Sequence, residues 1–347
     1  MTKIYLVRHA EAEGNVYRIA HGHYDGLITQ RGYRQIAALQ KRFADIPVDA
    51  VYSSDLFRAR TTAKAIYGPK GLPLQQRREL REVDMGSWEG RTWQDLTTHD
   101  PAQMYNFNRD LSKWYVEGGE PASHVRDRMI TELKKIAAEN EGKTVAVVSH
   151  GAALRITIGS LQGLSLEELG STPHGDNTAV SLLEAENGQL RVVFRDDNSH
   201  LLAEDLSTLG KQKWWKDKKM FDNGEDYGPI DEKAAAALGK LGVDVKIGTP
   251  GVAVSMDGEI MGLVEFLTEE ETEQIGWIGR YWIAPAFRGK NLGLPPLGQA
   301  VQFYRGRGRD RLRLRCGEEH RGFFEKYGFH PVGEDVLEKY IGYEDQI

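Results

Sequence analysis

The stretch Leu6-Val7-Arg8-His9-Ala10-Glu11 decides the N-terminal fold, because an arginine and a histidine follow directly on a short apolar run. Residues 3–7 are largely apolar and are bounded by polar neighbours, a pattern typical of a buried β-strand. In open α/β sheets, functional side chains gather at the carboxyl ends of the strands. A guanidinium beside an imidazole suits chemistry on an anion, and this pair favours a phosphoryl group.

Strand and helix patterns alternate through the first two hundred residues. The predicted elements after the first strand are a helix capped by Thr29, a strand over 48–52, a helix over 58–67 that ends at Gly68-Pro69, a helix over 123–140, a strand over 144–148 and a hairpin that turns at Asn187-Gly188. Residues 86–120 interrupt the alternation, and we expect them to extend over one end of the sheet. This order predicts an α/β domain over residues 1–204.

A second domain is predicted over residues 205–347, with residues 205–230 as a linker or its first helix. From Gly251 onward the patterns run strand, strand, strand, helix, strand, helix, strand, which predicts a mixed α/β domain with a hairpin turn at Asp257-Gly258. The run over 211–219 mixes lysines with tryptophans, which fits either a nucleic-acid surface or a helix that packs its tryptophans on a neighbour. Nothing else in the chain is strongly basic, so we favour the helix.

The composition limits the functions that the chain can have. The 347 residues exceed the usual size of one hydrophobic core, and the net charge of −6 gives no indication of a nucleic-acid or membrane partner. No run is apolar over a membrane-spanning length, so we expect a cytoplasmic protein. The single cysteine, Cys316, excludes an intramolecular disulfide and a multi-cysteine metal site, and is predicted to be a small buried side chain.

Three further segments place charged side chains at predicted strand ends or helix starts. They are Arg58 after Ser53-Ser54-Asp55, Glu82 within the segment over 80–90, and His150 after the strand over 144–148. Because the carboxyl ends of parallel strands meet at one edge of a sheet, we expect these side chains to converge on the opening Arg-His pair. His21 and His23 are candidates for the border of the same pocket.

Four segments together resemble the signatures of the histidine phosphatase superfamily, which is also called phosphoglycerate-mutase-like. They are LVRHAEAEGN (6–15), YSSDLFRARTTA (52–63), LREVDMGSWEG (80–90) and VVSHGAALR (147–155). The resemblance covers about residues 1–200 and implies a three-layer αβα fold. It also implies a small-molecule phosphate ester as the substrate, and it implies that the reaction requires neither a metal ion nor a cofactor.

The same resemblance implies roles for individual residues. His9 is the expected nucleophile, which attacks as a neutral imidazole and carries the phosphoryl group. Glu82 is the expected acid that protonates the leaving oxygen and then the base that activates water. The side chains expected to hold the phosphate are Arg8, Asn15, Arg58 and His150, and all of these except Asn15 are also expected to act in catalysis.

Phosphatases and mutases of this superfamily share these groups. A mutase must shield the phosphohistidine from water and return the phosphoryl group to a bound sugar phosphate. The mutases of the family carry larger insertions over the active site, whereas residues 86–120 are a short excursion here. We therefore predict a phosphatase, with a phosphoglycerate-type mutase as the alternative.

The C-terminal part resembles the Gcn5-related N-acetyltransferase (GNAT) family over about residues 205–347. The resemblance lies in the pyrophosphate loop over 287–293 and in the run over 323–329. Glycines at a strand-to-helix turn let backbone N–H groups approach a pyrophosphate. The resemblance implies acetyl-CoA, or another acyl-CoA, as the cofactor of this domain. The residues implied to bind it are Ile283, Arg288, Gly289, Lys290, Asn291 and Gly293.

Two departures from the GNAT pattern bear on catalysis. Asn291 stands where glycine is usual, and Phe324 stands where many members carry the tyrosine that protonates the leaving thiolate. Tyr327 lies about one helical turn on and is the candidate acid in its place. The domain is therefore either an acyltransferase or a non-catalytic ligand-sensing or interaction module. The phosphate ester, the acyl acceptor and the oligomeric state stay open.

Overall fold

The computed structural model describes residues 1–209 and 225–344, so the helix predicted over 211–219 lies outside the described residues. The described residues form two compact units. The first unit comprises residues 1–12, 20–89 and 100–209, and the second comprises 13–19, 90–99 and 225–344. The domain boundary expected after residue 204 stays a prediction.

The first unit is built on one sheet. Its strands are β1 (Thr2–Arg8), β2 (Ala50–Ser53), β3 (Leu74–Gln76), β4 (Thr144–Ser149), β5 (Val180–Glu186) and β6 (Gln189–Asp197). They lie in the order β3-β2-β4-β1-β5-β6, with β1 to β4 parallel and with β5 and β6 antiparallel to their neighbours. Strand β4 is buried on both faces, as a parallel strand between two helix layers must be, and β1 is buried on both faces at Leu6 and Val7.

Helices cover both faces of this sheet. The helices up to residue 209 are α1 (Glu13–Tyr17), α2 (Gln30–Phe43), α3 (Phe57–Lys70), α4 (Trp93–His99), α5 (Pro101–Arg109), α6 (Ala122–Glu139) and α7 (Gly151–Leu161), of which α1 and α4 belong to the second unit. Helices α2 and α3 pack together, with α3 on β2 and β4, and helices α6 and α7 pack together and on β1. Val7 of β1 lies in the α2–α3 core, and its neighbour Leu6, which points to the other face, is also fully buried. The predicted three-layer αβα fold is confirmed.

Two local predictions in this unit are confirmed. Thr29 caps α2 by accepting a hydrogen bond from the backbone N–H of Gly32 at 3.0 Å. The hairpin of β5 and β6 turns at Asn187 and Gly188, which have φ angles of 51° and 75°. Asparagine and glycine favour the left-handed conformation that such a turn requires.

The predicted end of helix α3 is wrong. The helix continues through Pro69 to Lys70 and ends at Gly71, whose φ of 64° caps it in the left-handed conformation. A proline ring clashes with the Cβ of the residue before it when that residue is helical. Gly68 has no Cβ, so the helix passes the proline instead of ending there.

The second unit contains a mixed sheet flanked by helices. Its strands are β7 (Glu225–Gly228), β8 (Gly251–Met256), β9 (Glu259–Phe266), β10 (Ile275–Ile283), β11 (Arg311–Arg315), β12 (His330–Pro331) and β13 (Val336–Tyr340), and its further helices are α8 (Glu232–Gly239), α9 (Leu294–Gly306) and α10 (Glu318–Lys326). The strands lie in the order β12-β13-β11-β10-β9-β8-β7, and β10 and β11 are parallel. The order predicted from Gly251 onward is confirmed as far as α10, after which two strands follow where one was predicted; β7 was not predicted.

The core of the second unit lies between the sheet and helices α9 and α10. It includes Tyr304, Leu312, Phe324 and Cys316, so the prediction of a buried cysteine is confirmed. The hairpin of β8 and β9 turns at Asp257-Gly258 as predicted, with φ angles of 52° and 81°. Over residues 1–209 and 225–344, no helix combines the length and the apolar character that a bilayer span needs.

Candidate active site

Three parallel strands of the first unit end at the same edge of the sheet. Arg8 of β1 is in register with Ser149 of β4, and Ser53 of β2 is in register with Val148 of β4. The chain leaves all three strands at this edge, and the predicted site residues follow there. The convergence expected from strand polarity is therefore the observed arrangement.

His9 is buried and held in one orientation. Its side chain and backbone are only 2% exposed, and its backbone N–H donates to the carbonyl of Ser149 at 2.9 Å. Its own carbonyl accepts from Nδ2 of Asn177 at 3.1 Å and from the backbone N–H of Thr178 at 3.4 Å. The ring Nδ1 lies 2.8 Å from the carbonyl oxygen of Ala10. Because a carbonyl only accepts, Nδ1 carries the hydrogen and Nε2 carries the free lone pair.

Two further imidazoles lie beside His9. The ring centroids of His150 and His21 lie 5.3 and 5.8 Å from that of His9. Both nitrogens of His150 and Nδ1 of His21 are buried and have no hydrogen-bond partner among the described residues. Burial, followed by the positive charge of Arg58, lowers the pKa of all three histidines well below the usual 6.5. The folded protein therefore holds three neutral imidazoles in one pocket.

The guanidinium of Arg8 lies against the beginning of helix α7. Its NH1 donates to the carbonyl of Gly175 at 2.6 Å, and its buried Nε has no partner among the described residues. A Cβ added at Gly151 would lie 3.1 Å from that Nε. Glycine at the first position of α7 thus leaves the space in which the guanidinium lies.

Arg58 is fully buried, and its terminal nitrogens are all engaged. NH1 donates to the carbonyl of Tyr24 and to Oδ1 of Asp25, each at 3.1 Å. NH2 donates to the carbonyls of His21 and Gly22 at 3.0 and 2.7 Å. Its Nε is buried without a partner in the described part of the chain. Arg58 therefore has its Nε–H left to donate to an anion.

Glu82 lies at the N-terminus of the same helix α7. One carboxylate oxygen accepts from the backbone N–H of Ala153 at 2.7 Å and of Val83 at 3.0 Å, and the other accepts from Ala152 at 3.0 Å. The N–H groups of Ala152 and Ala153 belong to the turn that follows His150, so they hold the carboxyl group of Glu82 at the start of α7. Only 7% of Glu82 is exposed.

The structure thus gathers five of the predicted residues in the first unit, namely Arg8, His9, Arg58, Glu82 and His150. Asn15 lies in α1 of the second unit, so its role at the phosphate stays a prediction. His23 donates from Nε2 to the carbonyl of Glu82 at 3.2 Å, and its Nδ1 lies 3.2 Å from a carboxylate oxygen of Asp84. His21, which was expected only at the border of the pocket, lies in the loop before α2 with its ring directly beside that of His9.

Together these groups suit the transfer of an anionic group to an imidazole. The Nε2 lone pair of His9 is available, and unengaged N–H donors of two guanidiniums lie in the same pocket. Such donors stabilise negative charge that develops during transfer, most strongly where water is excluded. The carboxyl group of Glu82, at the N-terminus of the adjoining helix α7, can give and take a proton.

A cavity of about 250 Å³ opens in the second unit beside the end of β10. The side chains and backbone that line it are Tyr281, Trp282, Ile283, Phe287, Arg288, Gly289, Asn291, Leu292, Gly293, His320, Phe323 and Phe324. Five of the six residues predicted to bind a cofactor are among them. The sixth, Lys290, donates to the carbonyl of Ala286 at 2.9 Å. The largely apolar lining is that of a ligand site.

Three residues of this cavity region bear on the departures from the GNAT pattern. Asn291 has a φ of 58°, so it adopts the left-handed conformation that glycine would adopt there. Phe324 is buried and has no proton to donate. Tyr327 packs against Phe323 with ring centroids 5.3 Å apart, and its role as an acid stays a prediction.

One cluster of the second unit has the composition of a cation site. Asp95, His99 and Asp226 place ligand atoms within 4.8 Å of one another. Arg91 already pairs with Asp95 at 2.6 Å, and His99 pairs with Asp226 at 2.9 Å. Protein groups therefore satisfy these atoms.

Two family models match the chain. Residues 4–198 match the model of the histidine phosphatase superfamily (branch 1), and residues 223–329 match the model of the acetyltransferase (GNAT) family. Both resemblances seen in the sequence are confirmed.

Known proteins match the N-terminal part. Phosphoserine phosphatase 1 from Hydrogenobacter thermophilus is 28% identical over 201 residues, which cover 58% of this chain and 95% of that protein. A probable phosphoglycerate mutase, GpmB, from Salmonella choleraesuis is 30% identical over 164 residues, which cover 47% of this chain and 76% of that protein. The structure of Bacillus stearothermophilus YhfR aligns with a TM-score of 0.56 and 31% identity, covering 58% of this chain and 100% of the other. Phosphoserine phosphatase from Entamoeba histolytica, solved with 3-phosphoglyceric acid, aligns with a TM-score of 0.52 and 26% identity over the same shares.

Proposed function

The chain belongs to the histidine phosphatase superfamily, and from this we propose that it hydrolyses a phosphate monoester through a phosphohistidine on His9. The observation that carries the proposal is the hydrogen bond from Nδ1 of His9 to the carbonyl of Ala10 at 2.8 Å. It leaves the Nε2 lone pair free in a pocket where His9 stays neutral. A neutral, oriented imidazole is the form that attacks phosphorus.

In the first step, Nε2 of His9 attacks the phosphorus atom, and the bond from phosphorus to the ester oxygen breaks. The proton of protonated Glu82 passes to that leaving oxygen, which departs as an alcohol. Arg8 and Arg58 each donate an N–H, from Nε, to the phosphoryl oxygens, and the second imidazole, His150, donates one as well. These donors are already in place before the reaction, so little reorganisation opposes the transfer.

In the second step, water attacks the phosphorus atom of the phosphohistidine. Glu82, now a carboxylate, takes a proton from that water, and the bond from Nε2 to phosphorus breaks. Inorganic phosphate leaves, and both His9 and Glu82 return to their starting forms. The chemistry of both steps is supplied by side chains and water.

The names of the relatives indicate which substrates to test first. One relative is a phosphoserine phosphatase, and another phosphoserine phosphatase was solved with 3-phosphoglyceric acid. Small phosphorylated hydroxy acids and amino acids are therefore the first class to screen with the full chain. We expect selectivity among them to arise in residues 86–120 and in loops around the site.

A phosphoglycerate-type mutase is the second candidate function, because one relative is a probable phosphoglycerate mutase. The two functions differ in what accepts the phosphoryl group from His9. Incubation with 3-phosphoglycerate separates them, because a phosphatase releases inorganic phosphate and a mutase yields an isomer. Isomerisation faster than phosphate release would overturn the phosphatase proposal.

Hydrolysis of p-nitrophenyl phosphate tests the role of His9. We expect His9→Ala to abolish turnover while the melting temperature stays close to that of the wild type. His124→Ala, an exposed histidine of the same unit, is the matched control and should keep full activity. Undiminished hydrolysis by His9→Ala would refute the assignment.

For the second unit we propose that acetyl-CoA, or another acyl-CoA, binds the cavity beside β10. The GNAT family match and the glycine-type backbone at Gly289 and Asn291 support this site. Whether acyl transfer follows depends on a proton donor for the thiolate, for which Tyr327 stays the candidate. Isothermal titration of the full chain with acetyl-CoA should give saturable heat, and no heat at high micromolar concentration would overturn the proposal. The Tyr327→Phe variant then separates acyl transfer from a purely ligand-sensing role. If the domain transfers an acyl group, this variant should still bind acetyl-CoA but should no longer release free CoA.

A further inference from the structure

Two peptide groups in the loop before α2 lie between the side chains of Arg58 and Glu89. In the first, the carbonyl of His21 accepts from NH2 of Arg58 at 3.0 Å, and the N–H of Gly22 donates to Glu89 at 3.1 Å. In the second, the carbonyl of Gly22 accepts from Arg58 at 2.7 Å, and the N–H of His23 donates to Glu89 at 2.6 Å. Each peptide dipole therefore has its oxygen on the guanidinium and its hydrogen on the carboxylate.

Glu89 is bound by backbone N–H groups. Besides the two bonds just described, its carboxylate accepts from the N–H of Tyr24 at 2.8 Å and of Met85 at 2.9 Å. Within the described residues, it forms no ion pair with a lysine, arginine or histidine. Burial raises the pKa of Glu89, and the N–H groups oppose that effect by stabilising the charged form. The two peptide groups over residues 21–23 thus link the carboxylate of Glu89 to the guanidinium of Arg58.

The loop has no room to rearrange around these contacts. A Cβ added at Gly22 would lie 2.1 Å from the carbonyl oxygen of Val83 and 2.5 Å from Glu89. Only glycine fits there, so the backbone can approach the carboxylate closely. The position of Glu89 therefore fixes the positions of the carbonyls that receive Arg58.

We propose that Glu89 is a positioning residue of the phosphoryl-transfer site. It fixes the loop over 21–24, whose carbonyls, with Asp25, occupy all four terminal N–H bonds of Arg58 and leave its Nε–H for the phosphoryl group. The inference rests on the proposed phosphatase function. Glu89 touches neither the substrate nor the attacking imidazole and acts through Arg58 alone.

The test compares Glu89→Gln with wild type in hydrolysis of p-nitrophenyl phosphate and in competitive inhibition by inorganic phosphate. A glutamine directs an NH2 group at backbone donors, so the loop must shift and Arg58 with it. We expect kcat/KM to fall by about 10- to 100-fold and inhibition by phosphate to weaken in parallel. The matched control is Glu139→Gln, which removes a half-exposed carboxylate paired with Arg77 at 3.3 Å and should change neither value.

A double-mutant cycle with Arg58→Lys separates this role from general stabilisation. If Glu89 acts through Arg58, the double variant should be no worse than the more impaired single variant. Losses that multiply would overturn the proposal. Glu89→Asp keeps the charge and should recover part of the phosphate affinity. If Glu89→Gln does not fold, the phosphate affinity of Glu89→Asp tests the proposal instead. An affinity equal to that of the wild type would overturn it.

The two possible failures are distinguishable. If the wild-type chain hydrolyses no phosphate ester, the proposed phosphatase function is wrong. If the wild type hydrolyses esters and a folded Glu89→Gln has the same kcat/KM, only the positioning role of Glu89 is wrong.

Discussion

Replacing Gly151 by alanine should impair phosphate binding without unfolding the protein. A Cβ at this position would lie 3.1 Å from Nε, 3.2 Å from Cζ and 3.5 Å from NH2 of Arg8. Contacts this short require one partner to move by a few tenths of an ångström. The backbone of Gly151 begins helix α7 and is hydrogen-bonded, so the Arg8 guanidinium is the group that moves.

The size of the effect follows from what Arg8 loses. Its NH1 donates to the carbonyl of Gly175 at 2.6 Å, so in the variant we expect the guanidinium to rotate about that hydrogen bond. The Nε–H of Arg8 would then no longer be directed at the phosphoryl group. A hydrogen bond to a charged group contributes about 1.5–3 kcal/mol, and weakening one by roughly half corresponds to about a 4- to 12-fold loss in affinity. We therefore expect KM to rise by about 4- to 12-fold.

The assay is steady-state hydrolysis of p-nitrophenyl phosphate, together with thermal melting. Alanine is favoured over glycine in a helix by about 1 kcal/mol, so the melting temperature of Gly151→Ala should not fall greatly. The control is Gly322→Ala inside helix α10, where an added Cβ meets no atom within 4 Å. It should leave KM unchanged. Wild-type KM in a folded Gly151→Ala would refute the reasoning, because it would mean that the position of Arg8 is not limiting.

Three further predictions concern the proton donor, the buried histidines and the loop of the second unit. Glu82→Gln should lower kcat for an alkyl phosphate by about 10²- to 10⁴-fold, and an unchanged kcat would exclude Glu82 as the acid. His9, His21 and His150 have a lowered pKa because of burial and then Arg58, so the unfolded chain binds protons below pH 6.5 that the folded chain does not. Their contribution to the free energy of unfolding should therefore be fully present above pH 6.5 and fall as the pH drops below that value. The fall is up to about 1.4 kcal/mol per pH unit for each histidine. A melting temperature equal at pH 5 and pH 7 would contradict this. Asn291→Gly should retain acetyl-CoA binding. Asn291→Val should lose it, because a β-branched residue is strained at a φ of 58°. Equal heats of titration for the two variants would contradict this prediction.

The strand ends of the first unit were predictable because strand polarity determines where side chains meet. An apolar run followed by Arg8-His9, and another followed by His150, can only bring these residues together if both strands are parallel neighbours. The end of helix α3 was not predictable in the same way. It depends on Gly68 lacking a Cβ next to Pro69, an interaction that a rule based on proline alone does not contain.

The grouping of the site residues was predictable in part, whereas their roles stay predictions. The sequence indicated that Arg58 would hold a phosphate, and gave no sign that four of its N–H bonds are taken by the loop over 21–25. Those bonds arise from tertiary contact between segments more than thirty residues apart, as do the three N–H bonds to Glu89 from residues 22–24. Contacts of this kind follow no local period and leave no pattern in the sequence.

The second unit shows a similar division. The hairpin at Asp257-Gly258 and the order of strands and helices followed from turn residues and apolar runs. Strand β7 did not, because its four residues include a fully buried glutamate, Glu225, that no hydrophobic pattern marks.

The most direct test of the proposed function is to trap the phosphoenzyme. The full chain is mixed with a ³²P-labelled ester that it hydrolyses, quenched in alkali within milliseconds, and mapped by mass spectrometry. The structure predicts one phosphoryl group, labile in acid and stable in base, on the peptide that contains His9, and none in His9→Ala. Rapid hydrolysis with no label on that peptide, or label that survives in His9→Ala, would contradict the account.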